Sequence, residues 1–186
     1  MADTTEELGA RWQSERCPEC AFDPNGVSAA DLPSAVAGLG RRYQAPLTRL
    51  LPGEDASLLV AHPIPGSWSA LAYACHVRDV LSVFDGRIAR MLAEDTPEFG
   101  WWDHEAAVEA DGYEKQPPAE VAAAIATNAA ALSATLAAVP EEGWERTGTR
   151  RDGELFTVLG TGRFVLHEGT HHLLDIGRVL RAARGR

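Results

Sequence analysis

Two histidines in the last part of the chain have a spacing that suits metal binding. His167 and His171 are four residues apart in one long helical pattern. Residues at positions i and i+4 of an α-helix lie on one face, about 6 Å apart along the axis, so two imidazoles can converge on one divalent ion. The main apolar stripe lies on the opposite face. Two interpretations are open: a solvated surface pair, or two ligands that line a cleft.

The same segment also matches a protease motif. Residues His167 to His171 read H-E-x-x-H, in which two histidines bind zinc and the glutamate, here Glu168, is the general base. Such a site needs a third protein ligand, and the sequence after His171 offers only His172 and Asp175. Since the motif is short and has two free positions, it is weak evidence for a protease.

A pair of cysteines near the N-terminus is a second candidate site. Cys17 and Cys20 form one C-x-x-C motif. A closed zinc site has four ligands, so a zinc knuckle would have to recruit His62, His104 or His172. A redox pair would normally begin a helix after a strand, which the surrounding sequence does not suggest. An ordinary loop, a zinc knuckle and a redox pair all stay open.

One more histidine lies in a predicted helix in the first half of the chain. His76 is at the edge of the apolar arc of that helix, where it could be a ligand or a partly buried histidine bonded to a backbone carbonyl. Asp79, one turn later, could accept a hydrogen bond from a ligating ring and fix its tautomer. Glu168 is about 100° around the helix from His167 and is interpreted as a solvated charge or, less favoured, a catalytic base.

Four segments with helical periodicity must position these residues. They are Ser28–Leu51, Ser67–Ala93, Pro117–Val139 and Phe156–Arg184, with Ser67 and Thr157 as predicted caps. The long connection Asp95–Gln116 contains Trp101, Trp102, His104 and Tyr113. A loop of this length is uncommon unless it is functional or disordered, so this one is expected to cover something. With no convincing strand pattern, the sequence predicts an all-α four-helix bundle with long connections.

Length and charge limit the classes of protein. The 186 residues suit one domain: a non-helical extension over residues 1–27 with the C-x-x-C motif, then a bundle domain over 28–186. A net charge of −10 argues against nucleic-acid and anionic-membrane partners. No signal peptide and no apolar run of about 20 residues is recognised. Three cysteines form no disulfide framework, so we expect a soluble cytoplasmic protein.

Several short motifs resemble those of one protein family. They are PGSWS at Pro65–Ser69, HVRDV at His76–Val80, Trp144, and HEGTHH at His167–His172. Together with the helical pattern, they make the chain similar to the DinB-like four-helix bundle proteins, a group that includes mycothiol- and bacillithiol-dependent enzymes. The resemblance covers about Ala29–Leu180 and leaves the C-x-x-C segment outside.

This resemblance implies a metal site and an activity. In the family, one histidine of the second helix and an H-x-x-x-H pair of the last helix bind a metal, which matches His76, His167 and His171. Zinc is the first expectation for the ion, with nickel or iron as alternatives. The implied activity is a transferase in which a low-molecular-weight thiol binds the metal as thiolate and attacks a small electrophile; a homodimer is also implied.

Two other functions remain as alternatives. One is a non-catalytic protein that binds a metal or small ligand, since a fold does not fix a function. The other is a metal-dependent hydrolase or H-E-x-x-H protease with Glu168 as its base.

Overall fold

Four long helices form a bundle in the structure, a computed structural model that describes residues 13–100, 102–150 and 153–185. The helices are α1 (Leu32–Thr48), α2 (Ala70–Ala93), the short α3 (His104–Ala110), α4 (Pro118–Ala137) and α5 (Val158–Ala183). The apolar faces of the long helices enclose a buried core. The predicted all-α four-helix bundle is therefore confirmed.

Side-chain caps fix where the two ligand-bearing helices begin. The Ser69 hydroxyl accepts a hydrogen bond from the Ala72 N–H at 3.2 Å, so the cap of α2 lies two residues after the predicted cap, Ser67. The Thr157 hydroxyl accepts from the Gly160 N–H at 2.9 Å, which confirms the predicted start of α5. A cap satisfies backbone donors that the first turn of a helix leaves without partners.

The structure contains a small sheet that the sequence did not predict. Its strands come from the chain segments that connect the long helices. Strand β1 (Glu98–Phe99) pairs in parallel with β2 (Thr147–Arg150), and β2 pairs antiparallel with β3 (Glu154–Thr157). Strands of two to four residues are too short to show a period of two in the sequence. The predicted turn at Asp152-Gly153 is described only from Gly153, because Asp152 lies outside the described residues.

The segment before α1 lies against α5. Residues 13–31 contain a 3-10 turn at Pro24–Gly26, and the Arg163 guanidinium of α5 donates to the Val27 carbonyl at 2.9 Å. The Asn25 side chain donates to the Ser14 carbonyl at 2.6 Å and closes this segment on itself. The predicted domain boundary after residue 27 stays a prediction.

Gly169 lets α1 approach the middle of α5. A Cβ atom at this position would lie only 2.6 Å from Cδ1 of Leu39, which is fully buried. The Tyr43 hydroxyl donates to the Gly169 carbonyl at 2.9 Å. Because Gly169 lies between the α5 histidines, this contact fixes the part of the helix that carries the candidate ligands.

A second close approach joins α1 to α4. A Cβ atom at Gly40 would lie 2.8 Å from the Cα atom of Ala126, so the two backbones meet with no room for a side chain at position 40. Gly38, in the same helix, has nothing within 4 Å of the corresponding point. The two glycines therefore make a matched pair.

We expect Gly40→Ala to lower the free energy of unfolding relative to Gly38→Ala by about 1–3 kcal/mol, the usual cost of overpacking. Both variants gain the same helix propensity, so their difference isolates the contact with Ala126. Urea denaturation of both variants measures it. Equal stabilities would show that α1 and α4 are not packed this closely.

Helix α4 is long and apolar enough to cross a membrane by length and composition alone. The sequence-based search for an apolar run missed it, because its many alanines raise the mean hydropathy only modestly. Within the bundle it is bonded to α1: the Ser133 hydroxyl donates to the Pro33 carbonyl at 2.8 Å, and the Gln44 amide donates to the Ala122 carbonyl at 3.3 Å. These are contacts expected of a core helix, and the absence of a membrane partner stays a prediction.

Candidate metal centre

Helix α5 carries two interleaved pairs of polar side chains. His167 and His171 form one i,i+4 pair, and Glu168 and His172 form a second pair one residue later. Successive residues of an α-helix are about 100° apart, so the pairs face different neighbours. The side chain of His167 is 3 % exposed, and those of the other three are 15 to 18 % exposed. The interpretations of a solvated histidine pair and of Glu168 as a solvated charge are therefore wrong.

The first pair faces the N-terminal segment. One ligand atom from each of Cys17, Cys20, His167 and His171 lies within 4.8 Å of the other three, and these residues are hereafter the Cys2His2 cluster. The Sγ atom of Cys17 and Nδ1 of His171 are 3.5 Å apart. The cysteines thus meet the α5 pair, rather than any of the three histidines that the sequence offered as partners.

The second pair faces α2. The Oε2 atom of Glu168 lies 3.2 Å from Nε2 of His76 and 3.4 Å from Nε2 of His172. One ligand atom from each of these residues lies within 4.8 Å of the other two. They are hereafter the His2Glu cluster.

The donor separations in the His2Glu cluster suit one bound ion. Two ligands at zinc–nitrogen and zinc–oxygen distances of about 2.1 Å are about 3.4 Å apart at the tetrahedral angle, close to the 3.2 and 3.4 Å observed. The other nitrogen of His76, Nδ1, is buried and has no hydrogen-bond partner among the described residues. No fourth donor joins these three within the described ranges, so an ion held here would keep an open position.

One carboxylate lies between the two clusters. The Oδ2 atom of Asp175 is 2.9 Å from Nδ1 of His172 and 3.5 Å from Nε2 of His171. In each ring, the opposite nitrogen faces that ring's own cluster. Histidines that bind metals usually donate their second N–H to a carboxylate or carbonyl, which fixes the tautomer and the ring orientation. Asp175 is placed to do this for His172, and its Oδ2 atom lies at an ion-pair distance of 3.5 Å from His171.

Burial and hydrogen bonding set opposite pKa shifts within the His2Glu cluster. Burial lowers the pKa of His76, although its bond to Glu168 opposes the shift. Burial would also lower the pKa of His172, but bonds to Asp175 and Glu168 outweigh it and raise the pKa to about 9. Burial would raise the pKa of Glu168, but bonds from His172 and His76 hold it well below its usual range. These contacts favour a Glu168 carboxylate paired with a protonated His172 in the metal-free cluster, and an ion bound to His172 would displace that proton.

Every member of the two clusters except Cys20 lines a cavity of about 490 Å³. The ring of Trp102 stacks on His76 at 5.7 Å between centroids, and Trp68 meets the same ring edge-on at 5.4 Å. The ring of His104 lies 5.5 Å from His76. The expectation that the aromatic connection covers something is borne out for Trp102 and His104, which cover His76; Trp101 lies outside the described residues.

Two arginines line another part of the cavity. Burial, together with the nearby charge of Arg150, lowers the pKa of Arg87 to about 10. The Arg150 guanidinium is paired with Glu154 at 2.6 Å, whereas Arg87 donates to the Gly100 carbonyl at 3.0 Å. A cavity wall with two cations close together favours an anionic group on whatever binds there.

Comparison with known proteins places this site in a family. The sequence model of the DinB superfamily matches residues 39–176, which is most of the chain. The chain belongs to the DinB superfamily. The resemblance predicted from the HVRDV and HEGTHH motifs is thus confirmed, and the match includes His76 and the candidate ligands of α5 but not the two cysteines.

A solved structure has the same fold as this DinB-superfamily chain. It is YfiT from Bacillus subtilis, described as a probable metal-dependent hydrolase with an unusual four-helix bundle topology. The two share 18 % sequence identity with a TM-score of 0.70, over 82 % of this chain and 89 % of YfiT. A search of curated proteins finds no match.

The DinB resemblance implied that His76, His167 and His171 bind one ion together. All three line the cavity. The structure nevertheless groups His76 with Glu168 and His172, and it groups the other two histidines with the cysteines. The trio stays a prediction, and the metal analyses described below distinguish it from the His2Glu cluster.

Asp79 does not have the position expected for a partner of His76. Both of its oxygens are bonded to Arg78, at 2.7 and 2.9 Å, and the Tyr113 hydroxyl donates to Oδ2 at 2.6 Å. In the structure, His76 is instead bonded to Glu168 through Nε2. The predicted hydrogen bond between Asp79 and His76 is therefore wrong, because the neighbouring arginine and the tyrosine already occupy the carboxylate.

We accordingly expect Asp79→Asn to lower the free energy of unfolding by about 1–2 kcal/mol, since it weakens bonds to one charged partner and one buried hydroxyl. The metal content should not change. Denaturation and elemental analysis of the same sample check both statements. A loss of metal without a loss of stability would instead support the predicted role of Asp79 as a hydrogen-bond acceptor for the His76 ring.

Sequence reasoning gave His172 and Asp175 only minor roles. A signal for both was present: His172 is at i+4 from Glu168, and Asp175 is at i+4 from His171 and i+3 from His172. The same spacing rule that selected the first histidine pair therefore selects these residues. It could not show which of the interleaved pairs faces α2.

Proposed function

We propose that the chain is a metal-dependent enzyme whose His2Glu cluster binds one divalent ion at the wall of the cavity. The observation that supports this most is the convergence of three donors from α2 and α5 on one point, with no fourth donor among the described residues. Such an open arrangement is typical of catalytic rather than structural ions. Zinc suits two imidazoles and one carboxylate, and iron or nickel would also bind them.

The proposed reaction joins a low-molecular-weight thiol to a small electrophile: the thiol loses its proton, its sulfur bonds to the electrophilic carbon, and the electron pair of the bond that breaks at that carbon leaves with the displaced group. A bound divalent ion lowers the pKa of a thiol or water, so that thiolate or hydroxide exists near neutral pH. The rings of Trp102 and Trp68 exclude water beside His76, and Arg87 and Arg150 hold an anionic group of a substrate. In this arrangement Glu168 acts as a ligand rather than as a general base, because its carboxylate faces both histidines.

Metal-dependent hydrolysis is the second candidate. Two histidines and one glutamate are the ligands of several hydrolytic zinc sites, and the description of YfiT names such an activity for that protein. The same cluster would then hold water instead of a thiol.

One experiment distinguishes these reactions. The purified protein is analysed for metal, stripped with a chelator, and reloaded with Zn²⁺, Ni²⁺ or Fe²⁺. Each form is assayed with pairs of thiols and electrophiles, in neutral and anionic versions, and with esters and amides alone. Thioether formation that requires both metal and thiol supports the transferase. Ester or amide cleavage without a thiol supports the hydrolase.

A matched pair of variants locates the activity. His76→Ala should remove it, whereas His62→Ala should not, because the side chain of His62 is 52 % exposed and pairs with Glu114 outside both clusters. Binding of metal with no turnover of any substrate would favour the alternative of a non-catalytic binding protein. Equal activity in the two variants would contradict the proposal.

A further inference from the structure

The C-x-x-C segment contributes no donor to the His2Glu cluster, yet it is held firmly against α5. Cys17 is 1 % exposed, and the ring of Phe22 lies 5.7 Å from the ring of His167. The Glu19 carboxylate pairs with Arg178 at 2.9 Å. Both ends of the C-x-x-C motif therefore face the first histidine pair of α5 across a short gap.

The backbone around the cysteines forms a tight loop. The Cys17 N–H donates to the Phe22 carbonyl at 2.9 Å, and the Ala21 N–H donates to the Cys17 carbonyl at 3.0 Å. Ala21 has a φ of 60°, in the left-handed region. That conformation costs an alanine about 1–2 kcal/mol, so the surrounding structure must compensate for it.

The donor separations fit a tetrahedral ion. A sulfur at about 2.3 Å and a nitrogen at about 2.1 Å from one zinc ion are about 3.6 Å apart at the tetrahedral angle. The Sγ atom of Cys17 and Nδ1 of His171 are 3.5 Å apart, and all four ligand atoms lie within 4.8 Å of one another. This arrangement uses Nδ1 of His171, and it leaves Nε2 to face Asp175.

We propose that Cys17, Cys20, His167 and His171 bind a structural zinc ion, separate from the ion of the His2Glu cluster. Two thiolates and two imidazoles are ligands of closed, four-coordinate zinc sites, which have no position for a substrate. The ion fastens residues 13–27 to α5. Since Cys17, Pro18 and Glu19 line the cavity, the ion also fixes one wall of the active site.

The test uses Co²⁺ in place of zinc in the full chain, because thiolate ligands give Co²⁺ a charge-transfer band that histidine and carboxylate ligands do not. The stripped protein should bind two equivalents of Co²⁺ and show this band. Cys17→Ser/Cys20→Ser should bind one equivalent without the band. His76→Ala/His172→Ala should bind one equivalent and keep it. Cys75→Ser is the matched control, since Cys75 is a buried cysteine outside both clusters, and it should behave like the unchanged protein.

Two results would overturn this proposal. One is a cysteine double variant that keeps both equivalents; the other is loss of the band on replacing His76 and His172, which would mean that a single shared site exists. If the unchanged protein bound one equivalent of Co²⁺ and showed the band, the result would contradict the proposed function, which requires an ion at the His2Glu cluster. It would still support the structural zinc ion.

A second measurement covers the case in which the cysteine variant does not fold. In the unchanged protein, zinc should protect Cys17 and Cys20 from alkylation, and a chelator should expose both, as mass spectrometry of the two labelled positions would show. Labelling at the same rate with and without zinc would overturn the proposal.

Discussion

Glu168→Gln should weaken Zn²⁺ binding at the His2Glu cluster by at least about 100-fold. The change keeps the size of the side chain but removes the only negative charge among the three donors. Loss of a partner outside the ligand set commonly costs 10- to 100-fold in metal affinity, so loss of a charged ligand is expected to reach or exceed the top of that range. Titration with Zn²⁺, followed by elemental analysis, measures the effect.

Asp79→Asn is the matched control for this experiment. It makes the same kind of change in a carboxylate that is bonded to Arg78 and Tyr113, one turn from His76. Unchanged metal affinity in Glu168→Gln would contradict the His2Glu assignment. It would instead favour the trio His76, His167 and His171, in which Glu168 has no role as a ligand.

Leu39→Ala should lower the free energy of unfolding by about 2–5 kcal/mol, the range measured for deletion of large buried aliphatic side chains. Leu39 is fully buried and fills the notch that Gly169 leaves in α5. The cavity created there cannot be filled from α5, because position 169 has no side chain. Urea denaturation of the metal-free protein measures the loss without a contribution from bound ions.

Leu51→Ala makes the same chemical change at a leucine that is 45 % exposed, and it should alter stability by less than about 0.5 kcal/mol. In Leu39→Ala we also expect weaker metal binding, because the notch lies between the ligands of both clusters. A small loss of stability, similar to that of Leu51→Ala, would show that α1 does not support the site.

The sequence was sufficient for the parts of the fold that depend on local periodicity. The four long helices and the cap at Thr157 were predicted, and the family motifs were recognised, because each is encoded within about 30 consecutive residues. The short sheet was not, since pairing of Glu98 with Thr149 is a contact between distant segments. No local pattern specifies that pairing, and the β2–β3 hairpin was missed because its strands have only four residues each.

The candidate site shows the same limit. Spacing alone identified His167 and His171 as neighbours, and it would equally have paired Glu168 with His172. It could not show that the first pair meets the cysteines, since Cys17 and His171 are separated by 154 positions in the sequence. Asp79 was misassigned for a related reason: its partner Tyr113 comes from the connection between α2 and α4, which has no regular pattern.

The shared position of Asp175 has a thermodynamic consequence. One oxygen, Oδ2, faces both His171 and His172, so an ion in either cluster fixes the same carboxylate that the other cluster uses. The two affinities are then linked by a coupling free energy, and linkage requires that each ion change the affinity of the other by the same factor. Occupancy of the proposed structural site would thereby change the concentration of metal at which the proposed His2Glu site fills.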